Sequence, residues 1–232
     1  GRVYVSEIDA NAIHCLDAEK GNKIWSFHTY GIVDSPPALF RGFLYFGSRD
    51  GRVTCVRARD GALAWCRRAA REDRLIGSSG KPAAAWPVQG AVYVHPGSES
   101  RPRLVYTSAG RSRYLDKGIS LSAWNAANGI WAGKGMKWRG PYQNDIPASD
   151  GKGLFLRGRQ ICHFPGAGKH HRYAVLAPEA GFLDSHLFDR TIWSYRQVHG
   201  HLLAFTGNTV YGTRSGYHIG KKSLASKTSI GK

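Results

Sequence analysis

The chain has 232 residues, and its 33 lysines and arginines against 16 aspartates and glutamates give a formal net charge of +17. Its 29 glycines and seven tryptophans, without long helically spaced apolar runs, exclude a mainly helical protein and favour short strands joined by tight turns. No apolar run approaches the roughly 20 residues that a membrane-spanning helix needs.

The first predicted elements are two strands, at residues 1–5 and 13–16, followed by a turn and a third strand. Asp17 opens the turn and can cap it through its side-chain oxygen. Gly21 closes the turn, where a glycine suits a backbone position with positive φ. Trp25 begins the third strand four residues later. We expect its large indole to cover the joint between two such units.

The same order of elements returns about 40 residues later and again, more weakly, in a third copy. The markers of these copies are Gly61 and Trp65 in the second and Gly129 and Trp131 in the third. A period of about 40 residues with several strands per unit is typical of a β architecture repeated around an axis.

The cysteines support this alignment of the repeats. Cys15 and Cys55 occupy the same place in the first two copies, and Ala123 takes it in the third. A place that accepts cysteine or alanine is small and buried. Because equivalent places in neighbouring units lie beyond the roughly 7 Å reach of a disulfide, we expect both thiols to be free. The other two cysteines are Cys66 and Cys162. The sequence contains no Cys-x-x-Cys motif, so its cysteine spacing does not indicate a zinc site.

Two polar insertions, residues 69–85 and 110–118, interrupt the repeat, and strand signals resume between them from Trp86 to Val94. Loops on a regular scaffold commonly carry function, so these insertions are the best site candidates. Paired arginine and aspartate could bind a carboxylate, a phosphate or a sugar hydroxyl. The open alternative is an internal salt-bridge network that ties the loops to the scaffold. The ligand-binding candidates are Arg71, Asp73, Arg74, Trp86, Arg111, Arg113 and Asp116.

The remainder of the chain predicts hairpins at residues 146–157 and 202–211 and a basic, loosely ordered tail at residues 221–232. The histidines beside Cys162 and at positions 170, 171, 199 and 201 fit no metal-binding spacing, so we predict no metal site. No Gly-x-Ser-x-Gly is present, and we assign no catalytic residue. We expect residues 1–220 to form one repeat domain.

The repeat resembles that of the pyrroloquinoline-quinone-type (PQQ-like) β-propeller, whose consensus ends in Leu-Asp-Ala-x-x-Gly-x-x-x-Trp. The matching residues are Asp17, Gly21, Trp25, Gly61, Trp65, Gly129 and Trp131, with Arg57 where aspartate is expected in the second copy. Segments 71–74, 85–88, 109–119, 181–184 and 190–193 resemble those of large planctomycete-type proteins carrying this propeller. The resemblance implies an all-β propeller of four-stranded antiparallel blades. We expect about four to five blades, and, because the chain opens in mid-repeat, a fragment.

Proteins of this family differ in function. Some are quinone- and calcium-dependent dehydrogenases, and others are outer-membrane assembly scaffold lipoproteins that bind partner proteins. Calcium needs six to eight oxygen ligands, and most of the 16 carboxylates fall in predicted turns, so we expect no cofactor. The resemblance implies a non-catalytic binding or scaffold module of a larger periplasmic or extracellular protein, with a protein or glycan ligand. Two alternatives stay open: a fragment of a PQQ- and calcium-dependent oxidoreductase, and a polyanion-binding surface driven by the net charge.

Overall fold

The computed structural model describes residues 1–78, 80–98, 102–111, 115–116, 118–133, 136–138, 147–149, 153–156, 159–164, 177–178, 193–195, 198–200, 202–206, 209–213 and 225–229. Every regular element in these ranges is a β-strand, which confirms the all-β prediction. None of the described segments is a helix long and apolar enough to cross a membrane. The chain divides into two compact units, Gly1–Asn144 and Asp145–Lys232.

The first unit begins with two antiparallel sheets built from the first two repeats. The first sheet has three strands in sequential order, β1 (Arg2–Glu7), β2 (Ala12–Asp17) and β3 (Lys23–His28). The second sheet has four strands in sequential order, β4 (Ala38–Phe40), β5 (Phe43–Gly47), β6 (Arg52–Arg57) and β7 (Leu63–Arg68).

A hairpin and a third sheet complete the first unit. The hairpin lies within the first polar insertion and consists of β8 (Leu75–Ser78) and β9 (Lys81–Ala84). The third sheet has four strands, β10 (Tyr93–His95), β11 (Leu104–Ala109), β12 (Ile119–Asn125) and β13 (Met136–Trp138). Of the strand expected from Trp86 to Val94, only the last two residues, Tyr93 and Val94, belong to a strand. Trp86 and Val88 lie in a loop whose side chains are buried in the core.

The turn that marks each repeat is held by a side-chain oxygen. In the first copy Asp17 Oδ1 accepts hydrogen bonds from the backbone N–H groups of Lys20 (2.8 Å) and Glu19 (3.0 Å). In the third copy Asn125 Oδ1 accepts from Ala127 N at 2.9 Å. Asp60 supplies the acceptor in the second copy, where Arg57 replaces the expected aspartate. The backbone geometry of the turn is thus kept although its capping residue changes position.

Within the first unit, the first sheet docks on the second, and the second on the third, through the same two hydrogen bonds. Trp25 Nε1 and Tyr4 Oη donate to Ala58 O, at 3.1 and 3.2 Å. In the next pair of sheets, Trp65 Nε1 and Tyr45 Oη donate to Ala126 O, at 3.0 and 3.2 Å. Ala58 and Ala126 follow equivalent strand ends, so the contact is repeated residue for residue. The tryptophan of one repeat therefore pins the turn of the next.

Trp131 departs from this pattern. It forms an isolated β-bridge with Trp124 and is 53% exposed. In the second sheet the corresponding pair is Val56 and Leu63, so Trp131 is equivalent to Leu63. The third copy places its tryptophan two residues after the turn glycine instead of four. Successive strand residues point to opposite faces, and the register also shifts. Trp131 therefore does not take the place that Trp65 has between two sheets.

The prediction of free, buried thiols is confirmed for the two equivalent cysteines. Cys15 and Cys55 are unpaired and 0% and 1% exposed. Burial raises the pKa of both thiols, that of Cys55 to about 12. Both are therefore protonated and unreactive at neutral pH. Cys66 is also free, and the side chain of Cys162 lies outside the described residues.

The second unit contributes three more three-stranded antiparallel sheets in its described ranges. Their strands are β14 (Ala148–Ser149), β15 (Gly153–Leu156), β16 (Arg159–His163), β17 (Ala177–Pro178), β18 (Trp193–Tyr195), β19 (Val198–Gly200), β20 (Leu202–Thr206), β21 (Thr209–Thr213) and β22 (Ala225–Ser229). Both predicted hairpins are present, as the pairs β14–β15 and β20–β21. Their turns and the histidines at 170, 171 and 201 lie outside the described residues.

The C-terminal segment contains one more strand among its described residues. Residues 225–229 form β22, which pairs with all five residues of β21. Backbone ladder bonds to an edge strand do not require apolar side chains, so a polar segment can complete a sheet. With β22, the described residues form six sheets of three or four strands, where the sequence analysis counts four to five blades.

Candidate functional site

The structure brings four of the predicted site residues together around one carboxylate. We call Arg74, Trp86, Arg111 and Asp116 the Asp116 cluster. Arg74 precedes β8, Trp86 follows β9, and Arg111 and Asp116 lie in the connection from β11 to β12. Two insertions that are separate in sequence therefore meet at one place.

Asp116 binds a separate arginine through each carboxylate oxygen. Arg74 Nη2 donates to Oδ1, and Arg111 Nη2 donates to Oδ2 at 2.5 Å. The backbone carbonyl of Asp116 accepts a hydrogen bond from Trp86 Nε1 at 2.8 Å. The Arg74 guanidinium also stacks on the Trp86 ring, 5.0 Å from its centroid. The cluster thus joins the β7–β8 connection, the β9–β10 loop and the β11–β12 loop.

The surroundings of Asp116 keep its carboxylate ionised. Its side chain is 13% exposed, and the Trp86 beside it is 2% exposed. The hydrogen bond from Arg111 lowers the pKa of Asp116 most, the charge of Arg74 adds to this, and partial burial opposes both. A carboxylate so neutralised is a structural acceptor and a poor proton carrier at neutral pH.

The other predicted site residues lie apart from this arrangement or outside the described chain. Asp73 pairs instead with Arg68, at 2.7 Å, and its side chain is 73% exposed. Arg71 is half-buried, and Arg113 lies outside the described residues. Two guanidinium nitrogens of the insertions, Arg71 Nη2 and Arg111 Nε, are buried without a hydrogen-bond partner. These two N–H groups could still donate a hydrogen bond to a ligand oxygen.

The described carboxylates do not fit a calcium and quinone centre. Five aspartates are each paired with an arginine, and they are Asp34, Asp50, Asp60, Asp73 and Asp116. No group of three His, Cys, Asp or Glu side chains that could hold a metal ion occurs among the described residues. Calcium requires six to eight converging oxygens, and these carboxylates point to separate arginines.

One polar chain on the first sheet has the composition of a hydrolase triad. His14 Nδ1 lies 2.8 Å from Ser26 Oγ, and its Nε2 lies 2.6 Å from Glu7 Oε2. The three residues sit on the neighbouring strands β3, β2 and β1. Because β2 is paired on both edges, its N–H groups are committed to the ladder and cannot stabilise an oxyanion. The arrangement is a cross-strand hydrogen-bond chain that links the three strands of the first sheet.

Sequence reasoning missed an open groove of about 710 Å³ beside the first two sheets. Its apolar lining includes Tyr4 of β1, Leu39 and Phe40 of β4, and Phe43 of β5. Four arginines surround this lining, namely Arg2, Arg41, Arg57 and Arg59. These residues are dispersed in the sequence, so no local motif announces the groove.

We expect Asp116→Asn to destabilise the chain by about 1–2 kcal/mol at pH 7, since it removes two charge-assisted hydrogen bonds that are only partly exposed. Asparagine keeps the shape and tolerates the positive φ of 53° at this position, so the change isolates the charge. Urea unfolding followed by tryptophan fluorescence measures the difference.

The pH dependence of this difference follows from the lowered pKa of Asp116. A depressed folded-state pKa stabilises above the unfolded value near 4 and is lost as the pH falls through the folded value. The gap between the variant and the unmodified chain should therefore close below about pH 4. Asp73→Asn, at an exposed pair, is the matched control and should change stability by less than about 0.5 kcal/mol. Equal losses in the two variants would contradict a structural role specific to Asp116.

Comparison with protein families gives a match to the first half of the chain. A family model described as outer membrane protein assembly factor BamB matches residues 1–131. This confirms the PQQ-type propeller repeat inferred from the sequence. A search of curated proteins finds no match to the chain.

Solved structures show the same fold. BamB from Moraxella catarrhalis is 15% identical, with a TM-score of 0.50, over 90% of this chain and 66% of that one. Quinohemoprotein alcohol dehydrogenase from Comamonas testosteroni is 24% identical, with a TM-score of 0.43, over 56% of this chain and 19% of that one. A second such dehydrogenase, from Pseudomonas putida, is 21% identical, with a TM-score of 0.44, over 57% of this chain and 18% of that one. The likeness to BamB confirms the β-propeller fold, and the chain spans only part of each of these proteins.

Proposed function

Because the chain belongs to the family of the outer membrane protein assembly factor BamB, we propose that it is a non-catalytic scaffold module that binds another polypeptide. We place it in a larger exported protein, in the periplasm or outside the cell. Both statements extend the family description, which names an assembly factor of the outer membrane.

The observation that carries the proposal is the pairing of five described aspartates with arginine. Acid–base chemistry and metal binding both need carboxylates that converge on a free space. In this chain each of these carboxylates holds a neighbouring loop or turn instead. The chemistry displayed by the described surface is therefore that of recognition: arginine, aromatic rings and strand edges.

Cross-linking in the exported, full-length chain tests the proposal. A photoreactive amino acid placed at exposed apolar positions, such as Tyr30 and Leu39, which are 88% and 58% exposed, should form covalent adducts with polypeptide. We expect adducts from a subset of positions and their persistence at high salt, because interfaces with apolar centres resist screening.

Calorimetric titration with pyrroloquinoline quinone and calcium is the decisive counter-test. We expect no binding heat from a chain that melts cooperatively. Tight, calcium-dependent binding would contradict the scaffold function and indicate a redox domain. Adducts that vanish at high salt, together with retention on a heparin column, would replace it by a polyanion-binding surface. Cross-linking to glycan alone would contradict polypeptide binding and make glycan the ligand.

A further inference from the structure

A small cavity lies between the first and second sheets, beside the edge of the first sheet that β3 forms. Its walls are residues 27–30, at the end of β3 and just after it, and the facing residues of β6, β7 and the turn before β6. We call it the Tyr30 pocket. Its volume is about 190 Å³, below the roughly 300–1,000 Å³ of pockets that hold drug-sized ligands. A cavity of this size has room for one small ring with its substituents.

The corresponding place between the second and third sheets is closed. The backbone N–H groups of Thr29 and Ala69 donate to equivalent turns, β1–β2 and β5–β6, so Tyr30 corresponds to Ala70. Ala69 and Ala70 are 7% and 8% exposed and belong to the core around Trp86, whereas Tyr30 is 88% exposed. The pocket is therefore a property of the first and second sheets and not of the repeat in general.

The charges of the pocket cancel. Among the described residues that line it, the acidic and basic ones apart from His28 are Asp50 and Arg52, and Asp50 Oδ2 lies 3.3 Å from Arg52 Nε. Ser48 Oγ donates a hydrogen bond to Asp50 Oδ1. Because the ion pair is neutral as a whole, a charged ligand gains little from it. Hydroxyl groups suit it better, since they can donate to the carboxylate and accept from the guanidinium.

Aromatic rings form the apolar wall of the pocket. Phe27 contributes a ring that packs edge-on against Phe46 of the core, with the ring centroids 5.9 Å apart. Arg52 lies over the Tyr30 ring, 5.9 Å from its centroid, and the exposure of Tyr30 shows that this ring contributes little to the core. An exposed aromatic ring beside a hydrogen-bonding pair favours a ligand with one apolar face and a rim of hydroxyl groups.

From these observations we propose that the Tyr30 pocket binds one neutral sugar ring of a glycan. The C–H face of a pyranose packs on the Tyr30 ring, and its hydroxyl groups exchange hydrogen bonds with Asp50 and Arg52. An apolar side chain of a peptide would desolvate this polar pair without replacing its hydrogen bonds to water, and an anion would face the Asp50 carboxylate. The site is separate from the polypeptide binding proposed above, and neither depends on the other.

Four neutral sugars test the proposal on the complete chain. The probes are the methyl glycosides of glucose, galactose, mannose and N-acetylglucosamine, and saturation-transfer NMR measures their affinity. We expect at least one to bind with a Kd of roughly millimolar order, which is what a single ring of this size permits. The methyl glycoside of glucuronic acid is the charged control and should bind no more tightly than the glucoside. Binding of the glucuronide at least about tenfold tighter would make the pocket an anion site and overturn the proposal.

Cys66 reports where the sugar binds, because it lies in the wall of the pocket. It is partly exposed, whereas Cys15 and Cys55 are 0% and 1% exposed. A bound glycoside should slow the alkylation of Cys66 by iodoacetamide at least about threefold, and the two buried cysteines should stay unmodified. Peptide mass spectrometry assigns each modified residue. Unchanged alkylation of Cys66 at a saturating glycoside concentration would place the binding elsewhere and overturn the proposal.

Two variants at position 30 test the aromatic wall. Tyr30→Ala removes the ring and should weaken glycoside binding at least about tenfold, with an unchanged melting temperature because the residue is exposed. Tyr30→Phe keeps the ring and should leave the affinity within about twofold. Equal affinities of the three chains, or no binding of any of the four glycosides, would contradict the proposal.

A photoreactive residue at position 30 separates this site from the polypeptide-binding function. We expect its adducts to contain glycan and to disappear when a saturating glycoside is present. Polypeptide adducts that the glycoside does not displace would overturn the sugar site. Polypeptide adducts from other exposed positions, such as Leu39, would in either case leave the scaffold function standing.

Discussion

Trp65→Ala is expected to be the most damaging single substitution in the first unit, with a loss of about 3–5 kcal/mol in the free energy of unfolding. Trp65 is 4% exposed and packs beside Tyr45 between the second and third sheets. Its removal leaves a cavity and withdraws the hydrogen bond to Ala126 O. Domains of this size are stable by roughly 5–15 kcal/mol, so the variant should approach global instability.

Urea unfolding measures this loss, and two companion variants divide it. Trp65→Phe keeps most of the ring and removes the donor, and Tyr45 Oη still satisfies Ala126 O, so the loss should fall to about 1–2 kcal/mol. Trp131→Ala is the control at the corresponding tryptophan of the third copy, and its 53% exposure predicts a loss below about 1 kcal/mol. Comparable losses for Trp65→Ala and Trp131→Ala would refute a specific role of Trp65 in the packing of the second sheet on the third.

Gly129→Ala is expected to cost about 2–4 kcal/mol although it adds one methyl group. Gly129 has a φ of 66°, and an added Cβ would lie 2.6 Å from Cδ2 of the Trp65 ring. The substitution therefore combines a strained backbone with a clash against a side chain that is buried and cannot move freely. The packing of Trp65 of the second repeat therefore requires a glycine in the turn of the third repeat.

Gly21→Ala is the matched control, because Gly21 has the same place in its repeat, a φ of 70° and no atom within 4 Å of an added Cβ. It should cost about 1 kcal/mol, the backbone strain alone. Gly61→Ala, which would meet the half-buried Trp25 ring at 2.7 Å, should fall between the two. Thermal unfolding of the three variants gives the order. Equal costs at Gly21 and Gly129 would show that the close approach of the indole contributes nothing.

The repeat motif illustrates why much of this fold could be predicted. Asp17 and Gly21 act within one turn, and Cys15 and Cys55 alternate with their neighbours along strands, so their roles follow from local geometry and side-chain size. Trp131 shows the limit of such reasoning. Its spacing from the turn glycine is two residues shorter than in the other copies, and only the pairing register reveals that this side chain faces solvent.

The Asp116 cluster contains four of the residues singled out in the sequence, but their arrangement could not be predicted. The insertions pointed to arginine and aspartate, yet Arg74 and Asp116 are 42 residues apart, and no spacing rule says which aspartate binds which arginine. Asp73, next to Arg74 in sequence, pairs with Arg68 instead. Loop conformations depend on the sheets beneath them, so their long-range contacts lie beyond local pattern.

By itself, the sequence determined the period, the strands, the capped turns and the propeller family, because these depend on alternation, turn chemistry and residue size within short segments. Only the tertiary structure decided that Trp65 and Ala126 meet, that Asp116 joins three loops, and that an arginine-lined groove runs beside β1. Those features arise where distant segments are brought together by the packing of one sheet on the next. Their contacts depend on the relative placement of the sheets, which no local run of residues encodes.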